Sequence, residues 1–91
     1  MNREIYTYIW QYEMLNESQQ YQGDCADIIF INNGNTTVTV NGVILQIGDG
    51  MSDLAFGNEY SNTSYNINFG VGTNPSLIIK KKVYLSTKIF K

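Results

Sequence analysis

The sequence predicts an all-β fold: a small antiparallel β-sandwich or barrel of about six to seven strands, with an N-terminal aromatic strand or arm. Runs of alternating apolar and polar residues recur along the chain, which is typical of strands with one buried face. Turn sequences rich in Asn and Gly separate these runs. The Asn41-Gly42 pair joins two such runs directly, and this pattern strongly predicts a hairpin.

The hairpin around Asn41-Gly42 has a well-specified register. Asn and Gly both tolerate the positive φ that a type I′ turn requires. A two-residue turn places Val40 opposite Val43 and Val38 opposite Leu45. One face then carries Thr36, Val38, Val40, Val43, Leu45 and Ile47, and the other carries Thr37, Thr39, Ile44 and Gln46. A one-residue slip would mix the two faces.

The segments before the hairpin differ in character. Residues 4–14 predict a strand or an extended arm, since strand-forming residues dominate there. Residues 15–24 are polar and predict a linker loop. The continuous apolar run at 26–31 predicts a strand that is buried on both faces.

Three further strands are predicted after the hairpin. They are a short strand at 51–56, a half-buried strand at 65–69 and a last strand at 77–85, with polar or turn-rich connections between them. Leu77, Ile79, Val83 and Leu85 share one face of the last strand. Lys81 falls on that apolar face, so a bulge, an edge position or a buried partner is expected there.

The 91 residues predict a single domain, with an N-terminal arm or strand and linker at 1–25 and a small β domain at 26–91. Only 15% of the residues are charged, well below the usual quarter, and aromatic and Asn residues are abundant. Such a surface suits contact with other proteins, although an AT-rich genome would produce the same composition.

The charges are distributed unevenly. All eight acidic residues lie between Glu4 and Glu59, and five of the six basic residues are Lys80, Lys81, Lys82, Lys88 and Lys91. This asymmetry allows head-to-tail pairing with copies of the same chain or with an acidic neighbour, but lysines that protect a solvated strand edge are the preferred interpretation. The net charge of −2 does not favour nucleic acid, and no apolar run approaches the length of a membrane span.

The sequence does not predict an enzyme, a cofactor or a metal site. Histidine is absent, which removes the usual general base and imidazole ligands. Cys25 is the single cysteine. Asp49, Asp53 and Glu59 are better interpreted as solvated loop carboxylates than as a cation site.

The candidate interaction residues are an aromatic stripe, Tyr6, Tyr8, Trp10 and Tyr12, and the lysines Lys80, Lys81 and Lys82. The stripe alternates along one face of a strand, and Tyr and Trp dominate protein interfaces. The alternative is that the stripe completes the core of its own domain. Aromatic stripes also bind sugars when polar side chains lie nearby.

Residues 28–84 resemble a small β domain of tailed-phage virion proteins, chiefly those of crAss-like phages of gut Bacteroidetes. The matching pieces are Phe30-Ile31-Asn32-Asn33-Gly34, Val38-Thr39-Val40-Asn41-Gly42-Val43-Ile44-Leu45, Ile47-Gly48-Asp49, Gly57-Asn58-Glu59, Thr63, Tyr65, Ile67, Phe69, Leu77-Ile78-Ile79, Lys81-Lys82 and Tyr84. The chain departs from the pattern at Ile47-Gly48, where Pro-Gly is common, and at 59–62, which replaces an acidic loop.

The resemblance implies a structural protein of the virion, assembled in the cytoplasm of the bacterial host. We expect an auxiliary capsid protein that docks on major capsid subunits, with other virion proteins or copies of itself as further partners and without a small-molecule substrate or a membrane. The alternatives are a neck, collar or tail component with the same domain, and a carbohydrate-binding fibre module.

Overall fold

The computed structural model describes residues 3–5, 8–53, 63–84 and 88–90. The described residues form ten strands and no helix. The strands are β1 (Arg3–Ile5), β2 (Tyr8–Leu15), β3 (Gln19–Gln22), β4 (Asp27–Asn32), β5 (Val38–Val40), β6 (Val43–Leu45), β7 (Gly50–Asp53), β8 (Ser64–Phe69), β9 (Leu77–Tyr84) and β10 (Lys88–Phe90). No helix in these ranges has the length and apolar character needed to cross a membrane.

Eight of these strands form two antiparallel sheets of four. The first sheet has the order β2-β9-β4-β7, and the second has the order β3-β8-β5-β6. Strands β1 and β10 pair separately as a two-stranded ribbon near the chain ends. The all-β prediction is therefore confirmed, and the two open sheets are those of a small β-sandwich.

The core lies between the inner faces of the two sheets. Ile28, Phe30, Leu77 and Ile79 enter it from the first sheet, and Val38, Val40, Tyr65 and Ile67 enter it from the second. The rings of Phe30 and Tyr65 meet edge-to-face across the sandwich, with centroids 5.0 Å apart. Since each inner residue alternates with an outer one, strand alternation alone assigns most of the core.

The hairpin prediction is confirmed. Asn41 and Gly42 both have positive φ, 50° and 84°, as a type I′ turn requires. The register is the predicted one, with Val38 opposite Leu45 and Val40 opposite Val43. Val43 nevertheless remains 49% exposed on the face predicted to be apolar, because β6 is a three-residue strand at the edge of its sheet.

Two predictions about segments before the hairpin, a linker loop and a doubly buried strand, are wrong. Residues 15–24 are not a linker loop throughout, since Gln19–Gln22 forms β3 and pairs with β8, with Tyr21 buried in the core. The strand at 26–31 is not buried on both faces: in β4 one face is buried and the other is half-buried. The reason is that none of the described strands covers the outer face of the first sheet.

Other predicted strands lie partly outside the described residues. The strand predicted at 51–56 is described as β7 up to Asp53, and the strand predicted at 77–85 is described as β9 up to Tyr84. Residues 54–56 and Leu85 lie outside the described ranges. The strand predicted at 65–69 is present as β8, with Tyr65 and Ile67 buried and Phe69 half-buried.

Candidate protein interface

The outer face of the first sheet carries most of the predicted interaction residues. Alternation along β2 directs Tyr8, Trp10, Tyr12 and Met14 to this side. The register of β2 with β9 places Lys82 beside Trp10 and Lys80 beside Tyr12 on the same side. These six residues, Tyr8, Trp10, Tyr12, Met14, Lys80 and Lys82, are called the aromatic–lysine face below. Tyr6 lies outside the described residues.

The aromatic–lysine face is exposed to solvent. Trp10 is 43% exposed, and Tyr12 and Met14 are each 64% exposed, whereas Tyr8 is half-buried. The described part of the stripe is therefore not in the core of the domain, which was the alternative interpretation. Large apolar side chains held together on one surface are unusual on a small monomer and are typical of an interaction site.

The two lysines of this face lean over the aromatic rings. The Lys82 ammonium lies 4.3 Å from the centroid of the Tyr8 ring, and the Lys80 ammonium lies 5.7 Å from that of Tyr12. Lys82 also pairs with Asp27 on β4, at 3.7 Å. Each cation–π contact contributes only about 0.5–1 kcal/mol at an exposed site, but it fixes where the positive charge lies. The face thus combines ring surfaces with positive charge on a chain whose net charge is negative.

Lys81 is separated from this face because it points between the sheets. Its ammonium lies 3.4 Å from Glu13 Oε1 and 5.1 Å from the centroid of the Tyr21 ring. The Tyr21 hydroxyl donates a hydrogen bond to the same Glu13 oxygen, at 2.8 Å. Of the three explanations that the sequence allowed for Lys81 on an apolar face, the structure shows a partner: the ring of buried Tyr21, together with the Glu13 carboxylate, whose side chain is 44% exposed. The Lys81 side chain on β9 therefore links β2 of the same sheet to β3 of the other sheet.

The Lys81 cluster alters the ionisation of its members. Burial lowers the pKa of Lys81, but its contacts with Tyr21 and Glu13 outweigh burial and raise that pKa overall. Burial raises the pKa of Tyr21, and the hydrogen bond to Glu13 raises it further. Both groups hold their protons at neutral pH, so the cluster is a Lys81–Glu13 ion pair beside a neutral phenol.

The second sheet has a different outer face. Its side chains are mostly uncharged amides and hydroxyls: Gln20, Gln22, Thr39, Asn66 and Asn68, with Ile44 at the β6 edge. An open depression of about 260 Å³ lies beside them, lined by Ser18, Gln19, Asn66, Ile67 and Asn68. No titratable side chain lines it, so the depression offers hydrogen bonds but no charge or nucleophile.

Among the described residues, no group of three or more Asp, Glu, Cys or His side chains is placed to hold a metal ion. Asp49 accepts a hydrogen bond from the Gln46 amide, and Asp53 accepts one from the Tyr65 hydroxyl. Glu59 lies outside the described residues. Cys25 is buried, and burial raises the pKa of its thiol, which keeps it in the unreactive protonated form.

Sequence reasoning missed Met14 and the Glu13–Tyr21 contact. Met14 continues the alternation of the aromatic stripe by one step, so the pattern itself would have found it. Glu13 and Tyr21 belong to different sheets, and only the assembled sandwich brings them together.

Comparison of the chain with protein-family models, with curated proteins and with solved structures found no match.

Proposed function

We propose that this chain is a non-enzymatic structural protein of a virion, an auxiliary capsid protein that docks on major capsid subunits through its aromatic–lysine face. The resemblance of residues 28–84 to a phage virion domain supports the virion assignment. The exposed aromatic–lysine face supports the docking mode. The proposal assigns no catalytic step and no cofactor to the chain.

The observation that carries the docking proposal is the exposure of Trp10 and Tyr12 on a regular sheet. Both rings are on β2, a strand paired along its whole length with β9, so they are held in fixed positions before binding. Preorganised rings lose little conformational entropy when a partner covers them. Trp and Tyr in such positions are the residues whose truncation costs most at interfaces.

The test is binding of the purified protein to particles that lack it. We expect Trp10→Ala to weaken binding by at least about thirtyfold, which corresponds to about 2 kcal/mol. The matched control is Ile44→Ala, since Ile44 is 61% exposed on the opposite sheet and its truncation removes a similar apolar area. Equal affinities for the wild type and Trp10→Ala would refute docking through this face.

The position within the particle is measured by copy number. An auxiliary capsid protein covers the shell and is present in many copies per particle, whereas a neck or collar protein is confined to one vertex. Quantitative mass spectrometry of purified particles gives the ratio of this chain to the major capsid protein. A ratio that corresponds to one ring of copies per particle would favour the neck or collar alternative.

A carbohydrate-binding fibre module is the second candidate. The observation in its favour is the row of exposed rings: Trp10 and Tyr12 are two residues apart on one strand, which spaces them by roughly 7 Å. Polar groups that read sugar hydroxyls lie beside them in Lys80 and Lys82. Glycan binding by the isolated protein that is lost in Trp10→Ala would support this candidate over capsid docking.

A further inference from the structure

Strand β2 leaves one of its edges open. β2 is the outermost strand of the first sheet and has eight residues, and no described strand pairs with its second edge. The hydrogen bonds of β4 determine which residues of β2 direct their backbone N–H and C=O groups toward this open edge. Asn32 donates its N–H to Asp49 O at 2.9 Å and accepts from Gly48 N at 2.9 Å, so its backbone points away from β9.

Alternation then fixes the backbone directions across the sheet. Ile31 and Ile29 point toward β9, so their partners Ile78 and Lys80 point toward β4. The next residues of β9, Ile79 and Lys81, therefore form their hydrogen bonds with Glu13 and Gln11 of β2. It follows that Trp10, Tyr12 and Met14 direct their N–H and C=O groups outward, along the open edge.

We propose that a second copy of this chain pairs antiparallel with this edge, about a two-fold axis that passes through the facing pair of Gln11 residues. In this register Trp10 of each copy faces Tyr12 of the other copy and exchanges two backbone hydrogen bonds with it. The facing side chains are aromatic pairs on one surface of the joined sheet, which is among the favourable cross-strand combinations. Met14 of one copy lies beside Tyr8 of the other.

The charges of β2 fit this arrangement. Glu13 faces Ile9 of the second copy, so the one ionisable carboxylate of the strand is not opposed by another. On the neighbouring β9 strands, Lys82 stands beside Trp10 of one copy, and Lys80 of the second copy lies over the Tyr12 ring with which that Trp10 pairs. These two lysines are three strand spacings apart, about 14 Å, and salt screens their repulsion.

The area buried is enough for a weak dimer. An edge of this length with large side chains contributes roughly 400–500 Å² per copy, and the total of roughly 800–1,000 Å² reaches at most the lower limit of specific interfaces. We therefore expect a concentration-dependent dimer with a dissociation constant in roughly the 10 µM to 1 mM range. The dimer does not depend on the proposed function, since it would form in solution without a capsid.

Disulfide trapping tests the register directly. Facing Gln11 residues form a pair without mutual hydrogen bonds, with Cα atoms about 4.5 Å apart, which a disulfide can span. Gln11→Cys should form a covalent dimer under mild oxidation at least about tenfold faster than Gln20→Cys, since proximity raises the effective thiol concentration. Gln20 is the matched control, an exposed Gln on the edge strand β3 of the other sheet.

The native Cys25 does not interfere because it is buried. Equal rates of cross-linking for the two variants would overturn the proposal. Neither rate involves a capsid, so this result is distinguishable from a failure of the docking function.

A second pair of variants tests the backbone contacts. Tyr12→Pro removes an N–H that points outward, so the β2–β9 pairing is retained while strand addition is blocked. Tyr12→Ala removes the ring and keeps the N–H. We expect sedimentation equilibrium to show a dimer for Tyr12→Ala that is weaker than for the wild type, and only monomer for Tyr12→Pro at the highest concentration. A dimer of equal strength in both variants would refute edge pairing.

Discussion

Asn32 is the residue on which the loops at one end of the sandwich depend. Its side chain is fully buried, and its Nδ2 donates to Thr36 O at 2.8 Å and to Leu45 O at 3.1 Å. Its Oδ1 accepts from the Gly34 amide at 3.1 Å. One amide thus bonds three backbone groups, which are the Gly34 N–H, the Thr36 carbonyl and the carbonyl of Leu45 at the end of β6.

Truncation of Asn32 should therefore be costly. We expect Asn32→Ala to lower the free energy of unfolding by about 2–4 kcal/mol, because three hydrogen bonds to backbone groups are lost, two of them buried. The matched control is Asn33→Ala, which removes an exposed amide that accepts one hydrogen bond from Ser76 and should cost less than about 1 kcal/mol. Urea unfolding measures both. A cost for Asn32→Ala no larger than for Asn33→Ala would contradict this role.

At the scale of elements, local sequence determines the hairpin turn, whereas tertiary packing determines β3. The β5–β6 turn is local, since Asn41 and Gly42 adopt the positive φ values that their residue types tolerate. Asn41 also ties the turn to β8, because its Oδ1 accepts the Asn66 amide at 2.7 Å. β3 is the opposite case: its Gln residues have little strand propensity, and burial of Tyr21 holds it in place.

The positive φ of Gly42 predicts how substitutions at this position change stability. A Cβ at this position meets nothing within 4 Å, so the cost of substitution comes only from the backbone angle. We expect Gly42→Ala to lower the free energy of unfolding by about 1–2 kcal/mol and Gly42→Asn to cost clearly less, since Asn tolerates positive φ. Thermal or urea unfolding compares the two variants. An equal cost for both would show that the angle is not the cause.

At the scale of the whole molecule, four ionisable groups with raised pKa values, Cys25 among them, make stability depend on pH in the same direction. The pKa values of Tyr21 and Lys81 are raised, and burial together with the hydrogen bond to Asp53 raises the pKa of Tyr65 well above its usual range. Above about pH 10 the unfolded chain therefore holds fewer protons at these sites than the folded chain. Stability is fully present at neutral pH and falls as the pH rises through this region.

The measurement is urea unfolding between about pH 8 and about pH 11, a range that spans the ordinary pKa values of Tyr and Lys. We expect the free energy of unfolding to decline with rising pH in the wild type. The decline should be shallower in Tyr65→Phe, which has one proton fewer to lose, although that variant also loses the hydrogen bond to Asp53. Parallel declines for the two proteins would show that Tyr65 does not contribute.

The sequence was sufficient for the fold class and for the hairpin register because both depend on alternation and on turn residues. It was not sufficient for the environment of the aromatic stripe. Tyr12 and Tyr21 both lie in strands, but Tyr12 is exposed and Tyr21 is buried, since only the order of strands in the sheets decides which face is covered. The same holds for Lys81, whose partner Glu13 is 68 positions away in the chain and beside it in the sheet.

The two outer faces of the sandwich differ in chemistry, and this difference limits how many layers of the chain can stack on one another. One side presents rings and ammonium groups, and the other presents amides and hydroxyls that water solvates as well as a protein would. A layer of this chain that attaches by the aromatic–lysine face leaves only the amide side outward. A second layer would find, among the described residues of that face, no large apolar side chain apart from Ile44. We therefore expect coating by this chain to be self-limiting, with a monolayer as its end point.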